Sequence, residues 1–165
     1  MLTPVRRRTA AVSLMLLVPL LTGCGIGFGA QTDKVYQPAV GVNDTSGSVD
    51  VLNAVIVSST EGKGTFVASL VNPADAEPDS LTGLSGDAQG EVASPVKIEP
   101  DALVNLADTG AVSVSGDRVA PGNFVRLTLA FDSGQKTMIN VPVVNSEDPE
   151  YAGVKAASPS ATPAP

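Results

Sequence analysis

The stretch Phe124-Val-Arg-Leu-Thr-Leu-Ala-Phe131-Asp-Ser-Gly-Gln-Lys136-Thr-Met-Ile-Asn-Val-Pro-Val-Val144 decides the fold class. In its first half Val125, Leu127, Leu129 and Phe131 alternate with Phe124, Arg126, Thr128 and Ala130, a period of two that gathers one set of side chains on a buried face. In its second half Thr137, Ile139, Val141 and Val143 again share one side. Between the runs, Asp132-Ser133-Gly134-Gln135 is turn-forming and contains glycine, so the two are predicted to pair as a β-hairpin.

The same pattern extends upstream. Gly, Pro, Asn and Asp punctuate the chain between Val-rich runs, as in an all-β sandwich or barrel. Val49–Ser58 is β-branched on both alternations, which predicts a central strand covered on both faces. Glu61-Gly62-Lys63-Gly64 is a predicted turn, and Thr65–Asn72 the next strand, with Phe66, Ala68 and Leu70 on one face. Asn72–Asp79 cannot continue a ladder, because its prolines lack donors and the other residues favour turns. Ser80–Leu84, Gly90–Ile98, Leu103–Leu106 and Ala111–Ser115 are shorter predicted strands. No helical apolar stripe appears after residue 23.

The N-terminus has a different character. Arg6-Arg7-Arg8 precedes the apolar run Ala10–Leu21, and Leu21-Thr22-Gly23-Cys24 closes it with small residues before a cysteine. This is the layout of a lipoprotein export signal, in which the thiol of Cys24 takes a diacylglyceryl group before cleavage makes it the new N-terminus. The run is too short to span a bilayer, which needs about 20 apolar residues. The expected organisation is a signal at 1–23, a flexible tether at 24–46, a β-sandwich at 47–145 and a disordered Pro/Ala/Ser tail at 146–165. The expected location is the outer face of the cytoplasmic membrane, with attachment through the lipid on Cys24.

Composition closes off most chemistry. Cleavage removes three arginines, so the mature chain keeps 7 Lys plus Arg against 17 Asp plus Glu, a formal charge of −10. That balance argues against a nucleic-acid partner, whose phosphates require clustered cations, and against electrostatic adhesion to anionic lipid, so membrane attachment is expected to come from the acyl chains. The sequence has no histidine and no cysteine besides Cys24, which excludes His-based triads, thiolate catalysis and His- or Cys-ligated metal sites. With no tryptophan, 2 tyrosines and 4 phenylalanines, stacking platforms for sugars or bases are poorly supplied.

Val49-Asp50-Val51-Leu52-Asn53-Ala54, Phe66–Asn72, Asp79-Ser80-Leu81-Thr82-Gly83, Ala120-Pro121-Gly122, Val125–Phe131 and Met138–Val144 together resemble the strand cadence of periplasmic PCu(A)C copper chaperones. Signal and cadence together look most like the LpqE-like lipoproteins of actinobacteria, a sub-branch of that fold. The resemblance implies a single cupredoxin-like Greek-key β-sandwich. It also implies where Cu(I) ligands would stand. The family carries a His-x-Met pair after a glycine turn, and aligning on Gly110 puts Val112 and Val114 at those positions. Valine offers no donor, and Met138 is the only methionine of the mature chain. No metal, cofactor or catalytic residue is therefore expected.

Weaker signals have plain readings. Asp75, Glu77 and Asp79 offer hard oxygen ligands of the kind Ca²⁺ takes, but Pro73 and Pro78 interrupt them and a solvated loop is favoured. Glu147-Asp148-Pro149-Glu150 reads likewise, and Gly62-Lys63-Gly64 reads as a turn rather than a phosphate loop. Arg118 and Arg126 are expected in an ion pair or in solvent. Asn53 marks either a β-bulge or a buried polar contact. The function expected is a lipid-anchored cell-envelope protein, not an enzyme, with a binding or assembly domain whose partner is another envelope protein or a small ligand. The alternative is metal handling at a non-standard site.

Overall fold

A computed structural model describes residues 40–157. The signal, Cys24, the tether up to residue 39 and the tail from residue 158 lie outside the described residues. Ten strands form one sheet: β1 (Val42–Asp44), β2 (Asp50–Thr60), β3 (Lys63–Val71), β4 (Asp79–Gly86), β5 (Gln89–Val92), β6 (Val96–Ile98), β7 (Leu103–Asn105), β8 (Val112–Ser115), β9 (Phe124–Phe131) and β10 (Lys136–Asn145). Among the described residues no helix is long and apolar enough to cross a membrane.

The pairing runs β2–β10–β9–β4–β5–β8–β3 and returns to β2, so the wall closes on itself. Closure covers the backbone edges that an open sheet would leave unpaired. β6 pairs with β4, β7 with β3 and β1 with β2 as short flanking strands. β10 meets β2 in parallel, with Val143 opposite Ile56, while the other pairings are antiparallel. This is the all-β, cupredoxin-like β-sandwich expected.

The deciding hairpin forms as its alternation dictates. β9 and β10 pair from Lys136–Ala130 through Pro142–Phe124. Val125, Leu127 and Leu129 are fully buried, and Ile139, Val141 and Val143 nearly so. They join Val51, Ile56, Phe66, Leu70, Leu81, Ile98 and Leu106 in one core inside the barrel. The predicted strand Gly90–Ile98 is two strands instead. Ala93-Ser94-Pro95 separates β5 from β6, and Pro95 has no N–H to give a ladder. The β2–β3 turn is also tighter than predicted, with only Glu61-Gly62 outside the strands and Gly62 at φ +80°.

Asn53 resolves as a bulge. Its φ is +51°, and the β2–β3 register slips between Leu52 and Val55. The extra residue reverses the facing of the strand. Val49 and Val51 point into the core before it, and Ala54 and Ile56 after it. Val55 and Val57 thereby turn outward and form a second apolar cluster with Val67.

That second cluster corrects the expected domain limits. The folded unit takes in residues on both sides of 47–145. Tyr151 and Val154 pack on Val55, Val57 and Val67, so the tail is not free from residue 146 onward. This strap, Ser146–Ala157, is tied by Ser146 N donating to Ser58 O at 3.0 Å and Lys155 N to Ala107 O at 3.3 Å. Ala157 N donates to Thr65 Oγ1 at 2.8 Å. Upstream, β1 lies inside the stretch expected to be tether. Gly41 N donates to Asn53 Oδ1 at 3.0 Å and Asn53 N to Asn43 Oδ1 at 2.6 Å, so the bulge itself fastens β1.

Candidate functional site

The positions implied for copper ligands lie in the barrel interior. Asn105 caps the short 3-10 turn Leu106–Asp108, its Oδ1 accepting from Ala107 N at 3.0 Å. Gly110 then takes φ +59° to lead into β8. Val112 and Val114 follow with 0% and 1% of their surface exposed, both within the main core. Their side chains end in methyl groups, which offer a metal ion no donor. Met138 stands on the outer face of β10, 65% exposed and on the opposite side of the wall from the core. Among the described residues no three His, Cys, Asp or Glu side chains converge as a metal cage. The residues present do not fit Cu(I) bound in the manner of the resembled family.

The acidic loop is fastened from within rather than assembled around an ion. Asp75 and Glu77 are exposed, whereas Asp79 is buried at the start of β4. The Asp79 carboxylate accepts from Ser80 N at 2.7 Å, Ser133 N at 3.1 Å and Ser133 Oγ at 2.6 Å. Burial acts to raise its pKa, but the donors from Ser133, Ser80 and Asp132 outweigh burial and hold it below the ordinary aspartate value. Its work is to clamp the β9–β10 turn to β4. At the other end of the loop, Asn72 is buried and its amide donates to Glu77 O at 2.9 Å and Ile98 O at 3.1 Å.

A concavity beside β3 is not visible in the sequence. A groove of about 510 Å³ runs beside the β2–β3 turn, floored by β3 and β8 and walled by the strap. Ser59, Thr60, Thr65, Ser113 and Ser115 line it, together with Lys63, Glu91, Val57 and Val154. Ser58 stiffens its rim, with a buried Oγ shared between Thr60 O at 2.9 Å and Lys63 O at 2.7 Å. Lys63, read as an ordinary turn residue, sits at this rim, and Arg118 pairs with Asp87 at 3.6 Å on the surface. Arg126 is exposed and has no ion-pair partner among the described residues. The groove depends on the strap, and the signal that points to it is the doubly apolar alternation of Val49–Ser58, which demands a cover for its outer face.

Neither a family model nor a curated protein matches the sequence. Solved structures do. The chain is similar to the apo PCuAC domain from PmoF1, with a TM-score of 0.55 and 19% identity over 63% of this chain and 99% of that one. It is similar to the copper-bound PCuAC domain from PmoF2, with a TM-score of 0.52 and 21% identity over 63% of this chain and 98% of that one. The apo form of the PmoF2 domain gives a TM-score of 0.50 at 20% identity over 64% of this chain and 97% of that one. At such identities the likeness establishes a shared fold.

Proposed function

We propose that this chain is an LpqE-like lipoprotein of the cell envelope, anchored outside the cytoplasmic membrane through acylated Cys24. On this reading its copper-chaperone-type barrel is a non-catalytic binding and assembly domain. What supports it is the burial of Val112 and Val114 in the core, since the resemblance implies soft donors at about those two positions. A barrel that retains the fold while filling the ligand positions with aliphatic packing has kept a scaffold and left the copper chemistry. Binding is assigned to the strap-walled groove, whose hydroxyls, Lys63 and Glu91 offer hydrogen bonds beside apolar contacts from Val57 and Val154. That mixture suits a segment of another envelope protein or a small polar ligand.

Titration of the purified mature chain with Cu(I) against a chromophoric chelator tests the reading. The chain is expected to leave the chelator complex intact. Stoichiometric removal of the ion would return the protein to metal handling at a non-standard site. Cys24→Ala is expected to leave an uncleaved precursor without fatty acid, and normal processing of that variant would refute the anchor.

A further inference from the structure

The outer face of the β9–β10 hairpin has a character unlike the rest of this acidic chain. Phe124 and Met138 point outward from it and are 54% and 65% exposed. The register, Arg126 opposite Asn140 and Ala130 opposite Lys136, sets Arg126 and Lys136 on the same face between and beyond them. Neither cation has an ion-pair partner among the described residues. Neither strand contains an aspartate or glutamate, although the sequence holds 17 acidic against 10 basic residues. At the Phe124 end a hollow of about 310 Å³ is lined by Arg118, Asn123 and Phe124. Acids border it: Asp87, engaged with Arg118, the exposed Asp117 next to Arg118 in the chain, and Asp132 in the hairpin turn.

We propose that this face docks on the anionic leaflet of the bilayer to which the protein is tethered. Phe124 and Met138 enter the headgroup boundary, Arg126 and Lys136 meet lipid phosphates, and the Arg118 hollow receives a headgroup. The inference rests on anchoring at Cys24. The segment between Cys24 and the first described residue, Val40, can span up to roughly 55 Å when extended, ample for the face to reach the membrane. The overall negative charge repels an anionic surface, so the face whose two strands carry cations and no acids is the one that turns toward it. A second copy of the chain is a poorer occupant. A two-fold contact through this face would gather the Arg126 and Lys136 of both copies in one interface whose strands hold no acid to pair with them.

The sequence has no tryptophan and one cysteine, which makes the test direct. The mature chain carrying Phe124→Trp is coupled through Cys24 to a maleimide lipid in vesicles of phosphatidylcholine, with or without phosphatidylglycerol. On the anionic vesicles the emission is expected to shift to the blue and to be quenched by bilayer-embedded brominated lipid. Adding Arg126→Gln and Lys136→Gln is expected to lower the ratio of docked to undocked protein on the order of 25-fold. Met138→Trp should respond alike, and Leu103→Trp, 63% exposed on β7, should not. Equal quenching on neutral vesicles, quenching that survives loss of both cations, or quenching at Leu103→Trp would each overturn the proposal. So would a Phe124-dependent dimer in solution, or an acidic protein partner lost with the two cations while no quenching occurs. Because the coupling is chemical, a face that stays in water counts against this inference alone. A native protein without acyl chains counts against the anchor alone.

Discussion

Asp79 shows how one buried side chain sets the geometry of the most regular part of the fold. Its carboxylate takes donors from β4 and from the β9–β10 turn, joining Asp79 to Ser133, 54 positions further along the chain. Asp79→Asn replaces a charged acceptor by an amide that cannot satisfy the same three N–H and O–H groups. It should cost about 1–3 kcal/mol at neutral pH. The folded carboxyl titrates below the unfolded one, so its stabilisation is present above the unfolded value of about 3.9 and is lost as pH falls through the lower folded value. Urea titrations of both proteins from neutral to acidic pH should therefore converge below about pH 4. A gap that stays constant across that range would show that the carboxylate's charge plays no part. The loop expected from sequence to be a solvated acidic surface is thus two things: exposed Asp75 and Glu77, and a buried anchor in Asp79. Nothing in the spacing of those acids distinguishes them, because Ser133, the partner that makes the difference, lies across the fold.

At the level of elements, the strap is the piece most open to test. Val55, Val57 and Val67 lie outside the barrel and are buried because Tyr151 and Val154 lie over them. Ending the chain at Asn145 exposes that cluster. With up to about 1.5–3 kcal/mol for each valine moved fully from a buried to a wet surface, and only partial exposure here, the loss should be on the order of 3 kcal/mol. The urea midpoint should fall accordingly, and the groove would lose one wall. An unchanged midpoint would mean that the strap contributes no stability. The same element marks the limit of what could be read from the chain alone. The hairpin β9–β10 was legible to within one residue, because period two needs only neighbouring positions to display it. The pairing of Val49–Ser58 on both alternations was also legible, and it required a cover. The cover itself was not recognised, since Glu147-Asp148-Pro149-Glu150 and the alanines after it have a linker's composition. Tyr151 and Val154 are few anchors, and their worth depends on a surface built by β2 and β3. β1 was missed for a related reason. Three residues carry no periodicity, and they are held by the bulge at Asn53, whose side chain reaches back to Gly41. The core valines Val112 and Val114 were legible as lacking donors, whereas the groove required the assembled barrel.

For the molecule as a whole, closure and charge pull in opposite directions. The barrel shuts through the parallel meeting of β2 and β10, which joins strands from opposite ends of the domain, and one continuous core fills it. Such an arrangement has few places to open locally, so unfolding should be a single transition with coincident midpoints by circular dichroism and tyrosine fluorescence. Against this stands the excess of 17 acids over 10 bases, relieved among the described residues only by the surface pairs Lys97–Glu99 and Arg118–Asp87. Exposed pairs of that kind add little. At low ionic strength the remaining carboxylates repel one another across distances comparable to the domain, because the screening length is about 30 Å at 0.01 M and about 8 Å at 0.15 M. The folded chain crowds those charges and the unfolded chain disperses them, so salt relieves the folded state more. Raising sodium chloride between those two concentrations at neutral pH should therefore lift the thermal midpoint by a few degrees and leave the transition single. A midpoint that falls with salt would mean that attractive pairs dominate the electrostatics. In that event the cationic hairpin face would be compensated within the protein, and it would no longer be held in reserve for an anionic surface.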